Sequence, residues 1–202
     1  MRRVLPILAL SLAGCTILEP QRDTSHFFTL SAVAESSAPP ASGISVGLGP
    51  VRMPAYLDRP ELATRVASTE VVFSPRDRWA EPLSSSLRRV LAQNLSTLLG
   101  TDEILSYPWP VGSRVDWSVG VDVSRFERTQ QGEVELAARW FVREGAGGRT
   151  RIARETRYTQ KASGGGTAAA VEAWDQTVAA LSGDIASAIT SLGGTPHVDL
   201  TQ

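Results

Sequence analysis

The stretch VDWSVGVDVS, residues 115–124, alternates without a break: Val115, Trp117, Val119, Val121 and Val123 are apolar, while Asp116, Ser118, Gly120, Asp122 and Ser124 lie between them. Side chains on a strand point to opposite faces in turn, so a period of two marks a strand with one buried face. The pattern returns at Val134, Leu136, Ala138, Trp140 and Val142. EGAGGR (144–149) then turns the chain into a further strand near Ile152 to Thr159.

The apolar face of these strands needs a cover, and two segments have the spacing to supply it. Leu83, Leu87, Val90, Leu91, Leu95, Leu98 and Leu99 form one stripe at helical spacing. Pro82 fits the first turn, where its missing N–H costs nothing, and Gly100 fits a left-handed cap. A second stripe joins Val171, Trp174, Val178, Leu181, Ile185, Ala188 and Leu192, and Gly193, Gly194 and Pro196 stop it. The rest of this helix is rich in Ala, Ser and Thr, with only Glu172, Asp175 and Asp184 charged. A solvated helix carries more charge, so either the composition is simply alanine-rich or a second face meets another subunit.

Upstream, His26 to Val33 reads as a first strand, Ala34 to Gly43 as a Pro/Ser/Ala loop, and Ile44 to Val51 as a second strand. Leu62–Val66 and Glu70–Phe73 read as a hairpin, and EILSYPWP (103–110) as a short strand closed by prolines. Helices do not alternate one for one with strands. The expected fold is therefore α+β, a single domain with a largely antiparallel sheet packed against two amphipathic helices. The helices would cover one face, leaving the other to solvent or to assembly.

The 202 residues carry a formal charge of −1, too little positive charge for nucleic acid or a polybasic membrane patch. The one cysteine is Cys15. Arg2 and Arg3 precede an apolar run from Val4 to Leu12, too short to span a bilayer but suited to a secretory signal. Leu12-Ala13-Gly14-Cys15 resembles the lipobox of bacterial lipoproteins, which implies cleavage before Cys15 and acylation of it. The expected organisation is a signal peptide at 1–14, a lipidated tether at 15–25, an α+β domain at 26–195 and a tail at 196–202. Thr16, where an Asp would favour inner-membrane retention, makes the resemblance point to the outer membrane, facing the periplasm.

GPVRMPAYLDRPELATR (49–65), together with FFTL (27–30), DRWAEPL (77–83), RVLAQNLSTLL (89–99) and YPW (107–109), resembles the PqiC-type auxiliary lipoproteins of ABC-type intermembrane transport systems. The resemblance implies a partner role beside an MCE (mammalian cell entry) domain protein, a permease and an ATPase, in phospholipid traffic that maintains envelope integrity. Because MCE-type partners form rings, it also implies a homo-oligomeric ring. Two other readings stand beside it: a periplasmic carrier with lipid between helices and sheet, and a structural lipoprotein of another envelope machine.

Pro54 and Pro60 stiffen the segment between them. Tyr56, Leu57, Asp58 and Arg59 on it form either a rigid docking corner or a structural corner, in which Tyr56 plugs the core and Asp58 caps a turn. Trp117, Trp140 and Trp174 fall on apolar faces, and Trp79 suits a staple before the first helix. Trp109, between two prolines, is the tryptophan expected at the surface and joins the docking candidates. With Cys15 acylated no thiol remains. His26 and His197 lie near opposite ends, and neither a G-x-S-x-G elbow nor a P-loop occurs. No catalytic residue, metal site or cofactor is expected.

Overall fold

The computed structural model describes residues 24–35, 43–110 and 112–193. Signal peptide, Cys15, most of the tether, and the tail with His197 lie outside the described residues. The element order is β1 (His26–Phe28), β2 (Val46–Arg52), β3 (Glu61–Ala67), β4 (Glu70–Trp79), α1 (Leu83–Leu99), β5 (Ile104–Ser106), β6 (Trp117–Thr129), β7 (Glu133–Glu144), β8 (Thr150–Lys161) and α2 (Thr167–Ser191). The fold is α+β, with two helices on one eight-stranded sheet.

The sheet is mixed rather than largely antiparallel. β3·β4, β6·β7 and β7·β8 are antiparallel, whereas β1·β4, β2·β5, β2·β6 and β3·β6 are parallel. Alternation identifies a strand's buried face but carries no information about which neighbour it meets. Only the segments joined by tight turns, β3–β4 and β6–β7–β8, have their direction fixed locally.

β6 organises the sheet. Its one edge pairs along its length with β7. Its other edge meets two strands in succession, β2 at Trp117–Asp122 and β3 at Arg128–Thr129. The sheet therefore forks. One arm continues from β2 to β5, the other from β3 through β4 to β1. The Pro54–Pro60 corner joins β2 to β3 and sits in the fork.

The core lies between the sheet and the helices, where Trp117, Trp140, Trp174, Leu87, Leu91 and Val178 are fully buried. Trp79 packs edge-on against Trp174 with ring centroids 5.2 Å apart. α1 ends at Gly100, whose φ of 62° is the left-handed conformation that glycine adopts without a Cβ clash.

β1 is shorter than the spacing suggested, ending at Phe28. Beyond it the chain leaves the sheet edge and runs as a strap over the two helices. Its backbone groups are held by side chains. Leu30 N–H donates to Ser86 Oγ (3.3 Å), Ser31 N–H to Asp175 Oδ1 (2.9 Å) and Ala34 N–H to Asn94 Oδ1 (3.2 Å). Asn94 Nδ2 donates in turn to Ser182 Oγ at 3.2 Å, bridging α1 to α2.

Candidate functional site

The corner turns its side chains to different parts of the fork. Leu57 enters the core at 2% exposure. Tyr56, half-buried, donates its hydroxyl to Glu127 Oε2 at 2.9 Å and accepts from Arg65 Nη2 at 3.2 Å. Glu127 is itself buried and also accepts from Arg65 Nε. Burial, and then the Glu127 carboxylate, push the Tyr56 hydroxyl above its ordinary pKa. The hydrogen bond from Arg65 to Glu127 raises the guanidinium further above its ordinary value. Asp58 caps α1 from 26 residues upstream: its carboxylate accepts from Ser84 N–H (2.9 Å) and Ser84 Oγ (3.0 Å). Pro82, at the cap position, provides no side-chain hydrogen bond, so Asp58 satisfies an otherwise orphaned donor. Arg59 lies over the Phe73 ring, 4.5 Å from its centroid, and donates to Glu61 at 3.2 Å. Asp58 and Arg59 are exposed.

The sheet face away from the helices holds the second candidate. Trp109 is half-buried there rather than standing free, and its indole N–H donates to the carbonyls of Leu105 (2.9 Å) and Leu48 (3.2 Å). Its ring lies on Gly47, where an added Cβ would come within 2.5 Å of it. Phe141 lies likewise on Gly120, directly opposite in the β6–β7 register, with only 2.1 Å for an added Cβ. The two glycines thus let aromatic rings lie against the backbone. The Arg143 guanidinium sits 4.2 Å from the Phe141 centroid and donates to Thr150 Oγ1 at 3.2 Å.

Beside these rings the register aligns Arg52, Asp122, Arg139 and Glu155 in one row across β2, β6, β7 and β8. Arg52 and Asp122 approach to 3.5 Å. A depression of about 160 Å³ lies between Trp109, Gly120, Phe141, Arg52, Asp122 and Arg143. It adjoins another of about 320 Å³ that extends to Arg139 and Ala153.

The helix side is largely covered by the chain itself. Ala173, Asp175, Thr177, Ser182, Ala186 and Ala188 on α2 are buried. Much of the uncharged surface of α2 therefore meets α1, the sheet and the strap, and Ala186, which the apolar stripe leaves out, belongs to the core, whereas Ala180, Ser187 and Thr190 stay exposed. A third depression, about 280 Å³, opens between the β3–β4 hairpin and the start of α2, beside Leu62, Val72 and Trp174. Among the described residues no group of His, Cys, Asp and Glu is arranged to hold a metal ion, and no helix is long and apolar enough to cross a membrane. His26 lies at the exposed edge, 3.4 Å from Asp77.

The structure brings Tyr56 together with Glu127 and Arg65, which the sequence reading did not single out. It keeps Trp109 apart from the corner, on the β2–β5 arm. Arg139 and Arg143 were also missed. Their places beside Trp140 and Val142 in an alternating strand put them on the uncovered face, and that was the available signal.

The sequence model of the family described as "ABC-type transport auxiliary lipoprotein component" matches residues 28–186. No curated protein matches the chain in sequence. Among solved structures, an uncharacterized protein shares 24% identity at a TM-score of 0.68, over 82% of this chain and 99% of its own. A protein of Xanthomonas campestris described as DUF330 shares 16% identity at a TM-score of 0.69, over 80% of this chain and 93% of its own. At such identities the likeness is one of fold.

Proposed function

We propose that this chain, which belongs to the family of ABC-type transport auxiliary lipoprotein components, is a non-catalytic docking subunit of an MCE-containing intermembrane phospholipid transport system. In this reading Cys15 is acylated, the anchor sits in the outer membrane, and the domain faces the periplasm as a platform for the periplasm-spanning partner. The mechanism is positional: the anchor fixes where the platform stands, and the platform fixes where the partner ends. The observation that carries the reading is the contrast between the two sheet faces. The helix face is covered by the two helices and their strap except at the depression beside Trp174, while the outer face carries rigid aromatics and arginines around open depressions. The exposed Asp58 and Arg59, held in place by Tyr56 and Leu57, and the Trp109 side are the surfaces offered for docking.

A carrier requires room for lipid between helices and sheet, and most of that layer is filled by Trp117, Trp140, Trp174 and the leucines of α1, leaving the depression of about 280 Å³ at its edge. The deciding experiment is co-purification from detergent-solubilised membranes with mass spectrometry of both protein and lipid. Transporter subunits without stoichiometric phospholipid are expected; bound phospholipid without protein partners would replace docking by carriage. Cys15→Ser is expected to release the protein from outer membranes under a high-salt wash. Light scattering on the detergent-extracted protein tests the homo-oligomeric ring.

A further inference from the structure

The depressions on the outer face take little part in holding the fold together, and their chemistry selects a ligand. Arg52, Arg139 and Arg143 reach them against Asp122. Arg143 is oriented by Phe141 and Thr150. Arg139 is exposed, and its side chain makes no hydrogen bond or ion pair among the described residues. We propose that this groove binds a carboxylate-bearing segment of a partner polypeptide, its acid held by Arg139 and Arg143 and an apolar neighbour resting on Phe141 and Trp109. The proposal rests on the docking reading above and names the chemistry of what docks.

Three physical points lead to that occupant. A guanidinium presents paired donors in a planar fork that matches a carboxylate, and Arg143 is already held in one orientation by its ring. The aromatic floor is rigid, because Trp109 and Phe141 have only backbone glycine beneath them, so an apolar side chain meets a surface already in place. The acidic residues Asp122 and Glu155 share the row with Arg52 and Arg139. A flat anionic bilayer would press against those carboxylates and could not fill a concavity, whereas a single acidic side chain can enter between the arginines and avoid them.

The test uses the full lipidated chain in non-ionic detergent and two labelled eight-residue peptides. One carries three glutamates and a phenylalanine, and the other has glutamine at each glutamate. Fluorescence anisotropy is expected to show the acidic peptide binding about tenfold more tightly, the size of one good charged hydrogen bond. Arg139→Gln and Arg143→Gln are each expected to weaken it about five- to tenfold, with Arg88→Gln on α1 as an unchanged control. Equal binding of the two peptides, or no effect of either arginine variant, overturns the proposal. So does an acidic peptide that fails to bind while phosphatidylglycerol vesicles bind and lose affinity in those variants. If the double variant still co-purifies its partner, the groove is not the docking place although docking stands. If the wild type captures no partner, it is the docking reading that fails.

Discussion

The two faces of the sheet use the same kinds of polar side chain under opposite conditions. Between the helices and the strap, Ser86, Asn94, Asp175 and Ser182 are buried and hold backbone or one another. On the outer face Arg52 and Asp122 stand in solvent, with side-chain exposures of 72% and 42%. The fork is intermediate: it lies on the outer side, yet the corner has drawn Glu127 and Arg65 out of water. What a polar contact contributes to stability is therefore set by what covers it, whereas what it offers a partner is set by what does not.

Substitutions can break this contrast, and the largest effect belongs to the fork. Glu127→Ala removes one member of a buried ion pair and takes their acceptor from Arg65 Nε and the Tyr56 hydroxyl, while Arg65 keeps the Ser68 carbonyl. A loss of about 3–5 kcal/mol is expected in chemical denaturation. A loss below about 1 kcal/mol would mean that solvent reaches the fork freely. Asn94→Ala strands the Ala34 N–H and the link to Ser182, with an expected cost of about 1–3 kcal/mol. Hydrogen exchange should then increase in the strap before it does in β6.

Asp175 sharpens the comparison with the opposite sign. Burial, with a smaller contribution from Glu172, pushes its carboxyl up to about 6. A raised carboxyl pKa means that the fold disfavours the charged form. The penalty is absent below about pH 4, grows as pH rises through the interval to 6, and is complete above it. Asp175→Asn can still accept from Ser31 N–H. It is expected to stabilise the protein by about 1–2 kcal/mol at pH 7 and by almost nothing at pH 4. Thermal melts across that range check it, and an unchanged difference at both pH values would remove Asp175 as the cause. The smallest effect is on the outer face: Arg52→Ala should change stability by less than about 1 kcal/mol, the usual worth of an exposed pair.

Much of the local structure was legible because it follows from periodicity. The stripes from Leu83 to Leu99 and from Val171 to Leu192 became α1 and α2, and the alternation at 115–123 and 134–142 became β6 and β7. What was not legible depends on contacts between distant residues. Nothing near Glu127 announces that Tyr56 and Arg65 will bury it, since its partners lie 71 and 62 residues away. The cap on α1 comes from Asp58 rather than from the adjacent Pro82. The low charge of α2 suggested either composition or a partner; α1, the sheet and the strap cover much of it, while Ala180, Ser187 and Thr190 stay exposed. The parallel pairings of β2 and β3 with β6 escaped because a strand's own sequence does not name its neighbour.

The fork also bears on how the molecule carries load. A pull from the N-terminal side enters at β1, which runs parallel to β4, so the load falls on the β1–β4 hydrogen bonds in shear and not one at a time. What passes beyond β1 reaches the strap and is spread over Ser86, Asp175 and Asn94 into both helices. The β2–β5 arm is off the direct strand path and reaches the loaded part through β6, the corner and the packed face of α1. A load entering at β1 is thus carried first by a sheared strand pair and then by side-chain ties into both helices, and α1 hands part of it on to β2 and β5.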